Sequence, residues 1–161
     1  MRTRRAAGPL VVLALAVAMV FGPSPAGAGS SDHPDHFAVG SVRLDGSQEV
    51  PAADPDGFGR FRYVAAGDKL CYILTAFRIE PAAAAHIHVA PAGVNGPIVV
   101  GLELPDPVSA DCITAEPDSS LNSATVLTQE ELDGIIANEA GYYANVHNAE
   151  FMGGAIRGQL A

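Results

Sequence analysis

Two histidines stand two apart in Ala85-His86-Ile87-His88-Val89. Residues so spaced on a strand leave the same face, so both imidazoles point one way and Ile87 and Val89 the other. A third histidine, His147, ends the β-prone run Tyr142–His147, in which Tyr143, Asn145 and His147 share a face. Neutral imidazole is a common ligand of copper and zinc, and it also ties loops down by hydrogen bonds. Two rings from one strand and a third from a neighbour make a three-imidazole metal site with an open position. The alternative is that the rings hydrogen-bond to groups in and beside the loop Pro91–Pro97 and fix its shape. The two readings separate on distance. Convergent ligands require ring nitrogens within ~4–5 Å of one another, and a His147 more than ~8 Å from both other rings leaves only the structural role.

Other residue types narrow the chemistry. Cys71 and Cys112 are the only cysteines. An even count in an exported chain predicts one disulfide, worth ~4 kcal/mol in the chain-entropy model for a loop of this size. Neither lies in a close Cys-x-x-Cys pair, which argues against a thiolate metal site. Glu49 is held at a rigid corner by Val50-Pro51, and Arg157 alternates with apolar Ile156 near the C-terminus. These two are expected to form a buried, structural ion pair. No Gly-x-Ser-x-Gly, phosphate loop or Cys/His nucleophile pair occurs, so serine hydrolysis and phosphoryl transfer have no support. No catalytic residue is assigned, and the chain reads as more a non-enzyme than an enzyme.

The first 28 residues have the layout of a secretory signal peptide. Arg2, Arg4 and Arg5 precede an apolar run from Leu10 to Phe21, and Ala26-Gly27-Ala28 offers a cleavage site. The run is well short of the ~20 residues of a spanning helix. The protein is therefore expected to be extracellular, with no stable membrane insertion after cleavage. Without the leader's three arginines, six basic residues face 18 acidic ones, a net charge of −12. Such a chain is a poor nucleic-acid binder, because phosphate contacts need basic groups. An extracellular protein or surface ligand is the expected partner class. Residues 29–36 include Asp32-His33-Pro34-Asp35-His36 and read as a flexible, solvated lead-in.

The elements that must position these side chains are mostly strands. Phe37–Leu44, Gly57–Ala65, Lys69–Phe77, Ala84–Val89, Pro97–Leu104, Tyr142–His147 and Ala155–Leu160 carry β-type patterns with glycine or proline at most junctions. Ala66-Gly67-Asp68 is a hairpin turn. Pro105–Ala124 reads as irregular. One helix is predicted over Gln129–Asn138, because Thr128 with Glu131 forms a capping box ahead of Leu132, Ile135 and Ile136. The pattern predicts an all-β fold, an antiparallel sandwich or barrel of Greek-key, immunoglobulin-like or superoxide-dismutase-like type with one short helix. A faint echo runs through it: His88-Val89-Ala90 leads to Gly96 and Ile98, and His147-Asn148-Ala149 to Gly154 and Ile156.

Four fragments together resemble the CHRD domain, named from chordin and found also in secreted bacterial proteins. They are Gln48-Glu49-Val50-Pro51, Ala85-His86-Ile87-His88 with Gly93, Gly96 and Pro97, Gly141-Tyr142-Tyr143-Ala144-Asn145-Val146-His147, and Gly154-Ala155-Ile156-Arg157-Gly158-Gln159-Leu160. The resemblance covers residues 37–161 and implies an extracellular β-sandwich-like module, with little implied about activity. A looser resemblance to copper/zinc superoxide dismutases rests on His86-x-His88, the late His147 and Arg157 near the end. It implies copper or zinc and weak redox activity, but a fourth copper histidine and the zinc subsite are missing. The leading expectation is a secreted, non-enzymatic binding or structural module. The alternative is an extracellular copper- or zinc-binding protein using His86, His88 and His147.

Overall fold

A computed structural model describes residues 36–117 and 124–161. The expected signal peptide and nearly all of the lead-in lie outside the described residues. The chain forms β1 (Phe37–Asp45), β2 (Phe58–Ala66), β3 (Lys69–Phe77), β4 (Ala82–Val89), β5 (Ile98–Gly101), β6 (Val108–Thr114), α1 (Gln129–Ala137), β7 (Tyr142–Asn148) and β8 (Ile156–Gln159). The strands pair antiparallel in the order β5-β4-β7-β8-β1-β2-β3-β6. The fold is all-β with one short helix, as its patterning predicts. Its two four-stranded halves meet at a single paired position, Asp45 with Arg157.

Alternation explains the first half. In β2 every second residue is buried, and Phe61, Tyr63 and Ala65 face inward with Leu70, Tyr72 and Leu74 of β3. Phe61 lies between the rings of Tyr63 and Tyr72, each at 5.5 Å, a spacing at which aromatic pairs add to area burial. Gly67 takes φ +60° in the turn between Ala66 and Lys69, a conformation that glycine adopts without strain. In α1 the Thr128 side chain accepts from the Glu131 amide, and the Glu131 carboxylate accepts from Thr128 N–H. This satisfies two of the free donors at the helix start. Leu132 and Ile135 are then fully buried in the hydrophobic core, where α1 packs against β1 and β2.

One element departs from the expected pattern. Within the span read as irregular, Val108–Thr114 is a strand, paired to β3 from Thr75↔Val108 to Lys69↔Thr114. It lies at the sheet edge and is largely exposed on both faces, so no burial alternation marks it. Cys71 and Cys112 face each other across this ladder and are disulfide-bonded. The bond therefore fastens an edge strand to its neighbour rather than pinning a loop. A disulfide fits an oxidising, non-cytosolic compartment. Among the described residues no helix is long and apolar enough to cross a membrane.

Candidate metal centre

Strands β4 and β7 are neighbours, and their register decides the site. His86 pairs with Asn145, His88 with Tyr143 and Ala84 with His147. Directly paired residues share a face. The same face continues onto β8, where Arg157 pairs with Asn145 and Gln159 with Tyr143. The opposite face carries Ile87, Ala144, Val146 and Ile156, all fully buried. This half of the sheet thus has an apolar side in the core and a polar side. The loop after β4 lies against the polar side, where Arg157 and Tyr143 bond to it. Asn95 in turn ties that loop to the Glu49-Val50 corner, donating to Val50 O at 2.7 Å.

The three histidines converge. One ring nitrogen from each of His86, His88 and His147 lies within 4.8 Å of the others. His86 Nδ1 and His147 Nε2 are 3.1 Å apart. Two other nitrogens face loops. His88 Nδ1 lies 2.9 Å from Gly96 O, and His147 Nδ1 lies 2.9 Å from Met152 O. A carbonyl only accepts, so each Nδ1 carries the proton and each Nε2 of the neutral ring keeps its lone pair. A backbone carbonyl on the distal nitrogen is the arrangement that orients metal-ligating histidines. His88 Nε2 is buried and has no hydrogen-bond partner, a costly state for a polar atom. Burial pushes the His86 ring down to about 4, helped by the charges His147 and His88 would carry. Burial also lowers His88 and His147, against the pull of Gly96 O and Met152 O respectively. All three rings are then neutral at pH 7, the form that binds metal.

The surrounding residues are held firmly. Tyr143 is stacked between two cationic or aromatic neighbours. The His88 ring lies parallel to it with centroids 4.7 Å apart, and the Arg157 guanidinium sits 3.3 Å from its ring centroid. Arg157 also donates to Val94 O at 2.7 Å, Asn95 Oδ1 at 3.2 Å and Pro91 O at 3.4 Å. It is 1% exposed. Gly96 N–H donates to Tyr143 Oη at 3.3 Å, closing the loop onto the site.

The expected Glu49–Arg157 ion pair differs in detail. Arg43–Asp45 and Lys69–Asp68 form salt bridges, whereas the guanidinium of Arg157 is committed to loop oxygens and Tyr143. Glu49 is buried nearby, and its Oε1 has no partner. Burial pushes its carboxyl up to about 7, against the Arg157 charge, Asn145 and the Val50 backbone, which pull it down. Gly154, at φ +130°, lies under this carboxylate, and a β-carbon there would run into it. The physical reason is competition: three loop oxygens within reach satisfy the fork of Arg157 in place of the carboxylate.

Asn145 escaped the reading of candidate ligands. It is 2% exposed, and its Oδ1 lies 3.1 Å from His147 Nε2. The signal was present, since Asn145 shares a strand face with Tyr143 and His147, but asparagine's residue type alone does not mark it.

A family model described as the CHRD domain matches residues 40–160, and the chain belongs to that family. No curated protein and no solved structure was found to match it.

Proposed function

With a CHRD-domain protein as the premise, we propose that this chain is an extracellular module that binds a divalent transition metal, zinc or copper, through His86, His88 and His147. The observation that carries this reading is the convergence of one ring nitrogen from each histidine within 4.8 Å, beside a buried Nε2 of His88 that has no hydrogen-bond partner. Imidazole ligands suit zinc and copper rather than calcium or magnesium, which take oxygen. The loop-holding role and the metal role do not compete, because His88 and His147 use Nδ1 for the loops and Nε2 for the site. The acidic charge of the mature chain favours cations generally. Secretion is supported by the leader-like first 28 residues and by the disulfide.

The test is zinc and copper titration of protein purified without an affinity tag, alongside its metal content as isolated. Stoichiometric binding with submicromolar Kd is expected, together with a metal-dependent rise in Tm that follows from linkage. His88→Ala is expected to lose both effects. Wild-type protein that takes up neither metal above the level of His88→Ala overturns the proposal.

A further inference from the structure

We infer that Asn145 supplies the fourth donor, through Oδ1, and closes the site, so that the metal serves as a clasp between strands rather than a reaction centre. This rests on the three-histidine reading above. The proton on His147 Nδ1 leaves Nε2 as a lone pair, and Asn145 Oδ1, itself an acceptor, lies 3.1 Å from it. Two acceptors facing each other at that distance repel unless a cation lies between them. In a tetrahedral site with bonds of ~2.0–2.1 Å, neighbouring donors are ~3.3–3.4 Å apart. Both the His86 Nδ1–His147 Nε2 and the Asn145 Oδ1–His147 Nε2 separations are 3.1 Å, close to two such edges. The partnerless Nε2 of His88 is the remaining corner.

The amide is held in the required orientation. Asn145 lies in the middle of the row His86–Asn145–Arg157 across β4, β7 and β8. An NH₂ turned to the Glu49 carboxylate, whose charged form Asn145 favours, leaves the oxygen for His147. Closed four-donor sites are structural, whereas catalytic ones keep a position open for water or substrate. A metal held by His86 and His88 of β4 and Asn145 and His147 of β7 would join the two echoing hairpins at their strand ends.

The test loads metal-free protein with cobalt(II), whose visible spectrum reports its donors, and then adds azide as a competing ligand. The wild-type spectrum is expected to stay unchanged in azide. Asn145→Ala is expected to bind zinc at least tenfold more weakly, in line with the effect of losing a group that supports a metal site, and to change its cobalt spectrum on adding azide. Asn145→Ser serves as a second variant if the alanine protein does not fold, and the wild-type azide measurement needs neither. An azide response in the wild type, or variants that match the wild type in affinity and spectrum, overturns the fourth-donor role and leaves an open three-imidazole site. Wild-type protein that takes up neither cobalt nor zinc overturns the three-histidine reading itself, and this inference with it.

Discussion

Replacing Glu49 with glutamine changes one proton-binding group and little of its shape, and the consequence is a change in how stability depends on pH. In the folded protein burial holds the Glu49 carboxyl at about 7, against an ordinary value of 4.5. A group whose folded pKa is raised contributes stability in full below its unfolded pKa and loses it as pH rises through its folded pKa. The window is therefore pH 4.5 to about 7. At ~1.4 kcal/mol per pH unit, the gap corresponds to about 3 kcal/mol. The histidines act in the opposite sense. His86 falls from 6.5 to about 4, so the unfolded chain binds its proton first and stability rises with pH between those values. The two effects overlap and partly cancel in the wild type. Subtracting the unfolding free energy of Glu49→Gln from that of the wild type removes the histidine part. That difference should fall by about 3 kcal/mol as pH rises from 4.5 to 7.5. Urea unfolding of metal-free protein in a chelating buffer, at half-unit pH steps, measures it. The constant offset between the two proteins carries no weight, because glutamine also changes the charge near Arg157. A difference that is flat to within ~0.5 kcal/mol across this window would refute the claim that a buried carboxyl titrates here.

Three further outcomes follow from the same contacts. Arg157→Lys keeps the charge but loses the planar fork over Tyr143 and its bonds to Val94 and Asn95; denaturant unfolding should show a loss of about 3 kcal/mol, and a loss under ~1 kcal/mol would count against the clamp. Native protein should show no free thiol to a labelling reagent, and reduction should cost up to ~4 kcal/mol in unfolding free energy; stoichiometric labelling without reductant rejects the bond. Zinc affinity should begin to weaken at a lower pH than for ordinary imidazoles, because protons compete for imidazole lone pairs whose pKa values burial has lowered; weakening that already sets in at the ordinary histidine value of 6.5 would mean the rings are not buried as described.

Much of the architecture was legible in residue order alone, where physics acts locally. The alternation in Phe58–Ala66, the Ala66-Gly67-Asp68 turn and the Thr128/Glu131 box each depend on residues a few positions apart, and each formed in place. The shared face of His86 and His88 follows from a period of two and needs no tertiary information. The echo between the two histidine-ended hairpins also has a physical counterpart. His88 and His147 each turn Nδ1 to a carbonyl of the loop that follows its own strand.

Tertiary structure decided which of these faces meet. β4 and β7 lie far apart in sequence, and only their pairing register sets His86 opposite Asn145 and puts His147 within reach. A slip of one residue would have turned His147 into the apolar core. The edge strand Val108–Thr114 was invisible because exposure on both faces leaves no alternation to read. The partner of Arg157 was equally undetermined by sequence. A guanidinium takes whichever acceptors the folded chain presents, and here the loop carbonyls and the Tyr143 ring lie closer than the Glu49 carboxylate that composition suggested. Residue types state what a side chain can bond to; the register of distant strands and the path of the covering loop state what it does bond to.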